Sequence, residues 1–288
     1  MWTTGLAPWY AGHGRHDLPW RHTRDPWPVL VSEVMLQQTQ VVRVRGRWES
    51  FLDRWPTPAA FAADPLAEVL RFWQGLGYPR RARGLWLTAA SVEAVGWPRT
   101  EQGLRALPGI GQYTARALLT LAMGQSSSPP LDVNLSRVAA RAALGRHPRD
   151  SQRADIERAV VEGRPRTLDA RDYTLALFDV GALHCRAIPR CSGCPLARRC
   201  RWLARGSPLA TRPQRVQRYE RSMRQLRGSV LAAQLSRDPA ATLPDLVHRV
   251  AALPMAHEPD AVARALASLR ADGLLEDSPA SRCAPHAE

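Results

Sequence analysis

Three short stretches of this 288-residue chain gather side chains able to do chemistry. The first is SEVMLQQTQ (32–40), where Glu33 follows the apolar run Val29, Leu30, Val31 and precedes Gln37, Gln38, Thr39 and Gln40. Such a glutamate is either a solvated helix residue or an acid beside a group of hydrogen-bonding side chains. The second is LDVNLSRVAAR (131–141), with a carboxylate at Asp132 and the chain's only asparagine at Asn134. Asp132 is also a favoured residue type for a helix N-cap. The third is CRAIPRCSGCPLARRC, in which Cys185, Cys191, Cys194 and Cys200 are separated by five, two and five residues. Four thiolates this close, with Pro189, Gly193 and Pro195 among them, can converge on one centre. Zinc and an iron–sulfur cube are both compatible, and the spacing does not separate them. The fifth cysteine, Cys283, sits in a polar tail and reads as a bystander.

A fourth stretch binds rather than reacts. In LPGIGQYTARALL (107–119), Pro108, Gly109 and Gly111 make a tight turn, with Thr114 at the head of the helix that follows. Glycines let backbone N–H groups face outward, and a helix start adds partial positive charge, so the turn suits a phosphate. A plain glycine turn between helices is the simpler alternative.

Composition narrows the partners. Forty cationic residues stand against 26 acidic ones, a formal charge of +14. That surplus favours polyanions, above all nucleic acid, although a basic surface also serves solubility. Every one of the forty cations is arginine. Lysine Schiff-base chemistry is therefore closed to this chain. No apolar run approaches the roughly 18 residues of a membrane span. The N-terminus lacks a basic region followed by an apolar core, so a cytoplasmic protein without a disulfide framework is expected.

The elements that must position these residues are helical. Apolar spacing predicts helices over 30–47, 65–76, 78–95, 100–107, 111–124, 131–144, 151–162 and 168–184, with a short one within the aromatic, proline-rich lead 1–28. Strand-like alternation is nearly absent, so the core is expected to be all-α. Residues 198–227 hold ten arginines around a Gly/Pro/Ser break, which reads as a basic linker over 206–219. Helical patterns at 220–236, 242–252 and 259–272 then end in DGLLED, a turn into a short strand. Three helices with a small wing give the expectation of a winged-helix-like module over 220–288.

The order SEVMLQQTQ, GLGY, LPGIGQYTA, LDVN and four cysteines resembles the MutY-like adenine DNA glycosylases of the helix-hairpin-helix superfamily that includes endonuclease III. The likeness runs from about Trp9 to Cys200. It implies a two-lobed glycosylase core over 1–205, with a six-helix lobe at 29–130 and a cluster-bearing lobe made of 1–28 and 131–205. It implies a 4Fe-4S cluster on Cys185, Cys191, Cys194 and Cys200, with zinc the lesser alternative. The partner implied is double-stranded DNA carrying adenine opposite 8-oxoguanine or guanine, bound by a monomer in the nucleoid. The target base must leave the helix to be reached.

The resemblance also assigns roles. Glu33 corresponds to the acid that protonates adenine, and burial among Val31, Val34 and Leu36 would raise its pKa. Asp132 corresponds to the carboxylate that stabilises the cationic sugar, with Asn134 orienting it or the water. Tyr113 stands where bifunctional relatives carry a Schiff-base lysine, which implies a monofunctional glycosylase. Arg21 and Asp179 fall at the adenine edge; Gln38 and Tyr78 fall where the family wedges into the base stack, with Gln37 beside them. Gly109, Gly111 and Thr114 belong to the phosphate-holding hairpin.

Four features depart from the family pattern. Val133 replaces a Gly or Thr, Pro79 replaces the second tyrosine of GLGYY, and the first cysteine gap is five residues instead of six. Residues 206–288 show no strand-rich pattern for a Nudix-like domain. Two other functions fit parts of the pattern: excision of thymine opposite guanine, and a non-catalytic iron–sulfur DNA-binding protein. Two carboxylates gain nothing in a protein that only binds phosphates.

Overall fold

The computed structural model describes residues 1–125, 128–208, 220, 222–236, 242–258 and 260–275. The described residues form fifteen α-helices and no strand. In chain order these are α1 (Leu6–His13), α2 (Pro26–Leu36), α3 (Val41–Arg54), α4 (Pro58–Ala63), α5 (Leu66–Trp73), α6 (Arg80–Val95), α7 (Glu101–Ala106) and α8 (Gln112–Leu121). There follow α9 (Val133–Ala139), α10 (Arg153–Glu162), α11 (Ala170–Leu183), α12 (Arg201–Ala204), α13 (Met223–Gln234), α14 (Leu243–Val250) and α15 (Ala261–Ala271). None is long and apolar enough to cross a membrane.

Side-chain caps start seven of them. Asp25 accepts from the Trp27 N–H and Pro26 opens α2, so the helix begins on a capped, pre-set turn. Side-chain caps also start α4 (Thr57), α7 (Thr100), α9 (Asp132), α11 (Asp169), α13 (Ser222) and α14 (Thr242). Buried rings of Trp27, Phe51, Trp55 and Phe61 pack with centroids 4.9–5.9 Å apart and tie α2, α3 and α4 together. α2 packs on α3 and α8, α4 and α5 on α6, and α7 on α8. α9 packs on α10 and α11, and α11 also on α1 and α8. α13, α14 and α15 pack on one another.

Two expectations change. The predicted helix 30–47 is broken after Leu36, and α3 restarts at Val41. Gln38 takes the left-handed conformation (φ 57°). The carbonyls of Val34 and Met35 at the end of α2 accept from the Arg81 guanidinium at 2.7 and 3.3 Å. A side chain thus satisfies acceptors that a continuing helix would have used. The pattern 131–144 likewise ends α9 at Ala139 and continues as a π-turn over Ala140–Leu144. At the far end, Asp272–Leu275 form a turn. The rest of the expected wing, most of the linker and Cys283 lie outside the described residues.

Candidate active site

The site is built where α2, α8 and the start of α9 meet. Glu33 lies on α2, only 7% exposed, and the Tyr113 phenol at the head of α8 donates to its Oε2 at 2.7 Å. Burial pushes the Glu33 carboxyl up to about 7; the Tyr113 bond lowers it, the Asp132 charge raises it and Arg21 lowers it again. Tyr113 is raised well above its ordinary value by burial and by Glu33 and Asp132, so it remains a phenol and a donor. A carboxyl of this kind carries its proton near neutral pH.

Asp132 caps α9, its Oδ1 accepting from the Leu135 N–H at 2.6 Å and its Oδ2 from Asn134 Nδ2 at 2.8 Å. Burial raises its pKa, opposed by those two bonds and by the Arg137 charge. The cap and the catalytic reading of Asp132 are thus compatible. Arg137 donates to Asn134 Oδ1 at 2.7 Å, to the Gly181 carbonyl at 3.0 Å, and to the Cys185 carbonyl. α9 can approach α11 this closely because residue 181 is glycine: a Cβ there would meet the Asn134 Cβ at 2.6 Å. Val133, between Asp132 and Asn134, is 74% exposed.

Arg21 and Asp179 pair with each other. Arg21 makes two 2.7 Å bonds to the two oxygens of Asp179, and Arg15 adds its N–H at 2.8 Å and its Nε at 2.5 Å. All four acceptor positions of the carboxylate are filled by Arg21 and Arg15. The cause is complete burial, which an ionised carboxylate tolerates only with charged partners. Burial alone would raise Asp179, but Arg21 and Arg15 hold it below the usual carboxylate range. Thr114 is buried and accepts from Gln37 Nε2 at 3.4 Å, so it faces α2.

The hairpin is formed as expected. Gly109 has φ +76°, and a Cβ there would meet the Gly84 Cα of α6 at 2.9 Å. Gly111 precedes α8 with its Cα facing open space. The two wedge candidates, Gln38 (φ 57°) and Tyr78 (φ 48°), are both exposed and left-handed. Sequence reasoning missed what holds them. Besides the end of α2, Arg81 donates to the carbonyl of Gln37 and, at 2.8 and 2.9 Å, to those of Leu76 and Gly77. One guanidinium therefore clamps both loops, and its burial lowers it to about 10. The only sequence signal was an arginine three residues after the GLGY turn.

Cys185, Cys191, Cys194 and Cys200 line one cavity, closed by Val138, Val180 and Trp202. Arg141 lies with Nη1 3.6 Å from Cys185 Sγ, donates to the carbonyls of Arg186 and Ala187, and stacks over Trp202 at 4.7 Å. A chamber of four sulfurs with apolar walls and an arginine beside it fits a polyanionic thiolate cluster.

The sequence profile of the HhH-GPD superfamily of base excision DNA repair proteins matches residues 31–163, which hold Glu33, the hairpin and Asp132. An adenine DNA glycosylase of Mycolicibacterium smegmatis is 42% identical over 284 residues, covering 97% of this chain and 94% of the relative. The chain belongs to the adenine DNA glycosylase family of that superfamily. A thymine/uracil-DNA glycosylase of Pyrobaculum aerophilum is 34% identical over 203 residues, covering 67% of this chain and 86% of that protein. An endonuclease III in a non-covalent DNA complex shares the fold, with a TM-score of 0.59 at 24% identity over 70% of this chain and 92% of that one. The adenine DNA glycosylase fold thus spans both arms of the site, from α2 to the cysteine loop.

Proposed function

We propose that this protein excises adenine paired with 8-oxoguanine or guanine from double-stranded DNA, hydrolysing the N-glycosidic bond with no lyase step. The observation that carries the reading is Glu33: a buried carboxyl near pKa 7, bonded to Tyr113 and within the field of a second carboxylate, Asp132. The flipped nucleotide enters beside it. Glu33 gives its proton to the adenine ring as the bond to the sugar breaks and its electron pair leaves with the base. Asp132, whose bonds to Leu135 and Asn134 and whose neighbour Arg137 favour the carboxylate against burial, stabilises the oxocarbenium sugar until water adds and gives up a proton. Tyr113 orients Glu33, and the absence of lysine leaves no Schiff-base nucleophile.

Gly109 and Gly111 present backbone N–H groups to the phosphates, and Gln38 and Tyr78 enter the opened stack. Arg21 and Asp179 brace the pocket wall together. Cys185, Cys191, Cys194 and Cys200 hold a 4Fe-4S cluster, which ties their loop into a fixed shape when bound. Residues 1–205 form the two-lobed catalytic core, working as a monomer on nucleoid DNA, and residues 206–219 link it to the C-terminal module.

The relative from Pyrobaculum supports a second reading, removal of thymine opposite guanine on the same scaffold. The test is direct. Duplexes holding one A·8-oxoG, A·G or T·G pair are incubated with the protein and abasic sites are cleaved with alkali. Cleavage at the adenine strand is expected; cleavage of the T·G duplex alone refutes the adenine reading. A brown protein with four iron atoms per chain is expected by metal analysis, and stoichiometric zinc in a colourless one would overturn the cluster assignment.

A further inference from the structure

The helices after residue 220 have no part in the chemistry above, yet they are fixed to the core beside Tyr78. Two core arginines do the fixing. Arg71 of α5 donates through Nε to the Leu235 carbonyl at 2.9 Å, where α13 ends. Arg83 of α6 donates through Nε to the Gly273 carbonyl at 3.1 Å, just beyond α15. Unpaired carbonyls at helix ends, with the negative end of the dipole, favour a guanidinium. Gly273 has φ +65°, and a Cβ there would lie 2.6 Å from Arg83, so this clamp requires glycine. Arg80 adds a 3.6 Å ion pair to Asp272. These anchors flank the loop 74–79 on both sides.

From α13, Arg224 then reaches the wedge itself. Its Nη1 donates to the Tyr78 phenol oxygen at 2.6 Å and its guanidinium lies 5.7 Å from the ring centroid. Arg81 lies 5.4 Å from the same ring. Tyr78 is a tyrosine in the left-handed region, a conformation that persists only where surroundings impose it.

We propose that the C-terminal helical module takes part in reading the base opposite the excised one, with Arg224 as the positioning residue that sets the Tyr78 wedge. This rests on the reading of Tyr78 as the residue that enters the base stack. Because the phenol oxygen already accepts from Arg224, its own proton is left to donate elsewhere. A purine oxidised at C8 offers a carbonyl there; guanine offers only a C–H. The module thereby supplies opposite-base discrimination from helices.

The test uses the full chain and duplexes with a non-hydrolysable fluorinated adenosine opposite 8-oxoguanine or guanine, with affinities read by fluorescence anisotropy. Wild-type protein is expected to prefer the 8-oxoguanine duplex. Arg224→Ala and Tyr78→Phe are each expected to lower that preference about fivefold, the value of one such hydrogen bond, with no further loss in the double variant. Equal binding by the wild type, an unchanged preference in Arg224→Ala, or additive losses in the double variant overturns the proposal. Should Arg224→Ala melt early, Tyr78→Phe decides, since it leaves α13 untouched: an unchanged preference there also overturns it. Ordinary adenosine duplexes separate the two readings. No adenine release by wild type refutes the proposed activity, whereas adenine release with unchanged preferences refutes only the role of the module.

Discussion

Glu33 and Asp179 are both carboxyls withdrawn from water, one 7% and the other 0% exposed, and their neighbours send them opposite ways. Asp179 faces two arginines that fill its oxygens and keep it charged. Glu33 faces a phenol and a second carboxylate, and it keeps its proton up to about pH 7. Burial penalises both charges, so the partner decides whether a buried acid becomes a strut or a proton donor. Arg21 touches both outcomes: it pairs with Asp179 and also pulls modestly on Glu33. An ion pair a short way from the acid leaves Glu33 poised without neutralising Asp132.

Substitutions can break this contrast. Glu33→Gln is expected to cut single-turnover adenine excision by about 10³-fold, the scale of a lost general acid, with DNA affinity retained. Undiminished turnover would refute its assigned role. Asp132→Asn follows at roughly 10²-fold, because the sugar cation loses its charge partner while the cap bond to Leu135 can persist. Neither change should unfold the protein. Arg21→Ala should destabilise it markedly: it strips a bidentate partner from a buried carboxylate, and denaturant titration is expected to show a loss of about 3 kcal/mol.

The pH dependence separates the two acids by sign. Glu33 has a folded pKa above its unfolded value, so its ionisation costs stability as pH rises from about 4.5 to about 7. Excision should decline through that same upper limit, and Glu33→Gln should abolish the stability decline. Asp179 has a lowered folded pKa, so its contribution is complete above the ordinary carboxylate range and is lost only as pH falls below it. Tyr113→Phe is the smallest step. It removes a bond that favours ionised Glu33, so the alkaline limb should move upward in a pH–rate profile, with the rate at pH 6 reduced by no more than about tenfold.

Much of this was legible in the sequence. The Leu–Pro–Gly turn, the Asp132 cap and the four cysteines are local, and residue type with spacing suffices to read them. Helices α5 to α8 and α10 fall within the expected ranges because their apolar faces repeat at helical spacing. What stayed hidden is long-range. The break at Gln38 depends on Arg81, more than forty residues away in sequence, and no property of SEVMLQQTQ announces it. Arg15, Arg137 and Arg141 were equally invisible, since in a chain whose forty cations are all arginine no single one stands out. α4 was missed because PAAFAA is too short to show a period. The surroundings of Asp179 stayed hidden too, because sequence reveals an acid but not that two arginines converge on it.

The contact between Gly84 and Gly109 has a mechanical meaning. Backbone meets backbone there, at a separation that a single methyl group would force open. Gly84 lies six residues beyond Tyr78, near the start of α6, so the hairpin and the wedge ride on one stiff rod. The helical part of that stretch, from Arg80 to Gly84, measures about 6 Å. On the proposed function, this joint is a fixed ruler between a phosphate held at the hairpin and the gap that the Tyr78 ring opens. Because no rotatable side chain lies in the joint, grip and insertion would advance together on that reading, and where the strand is held would set how deeply the ring enters.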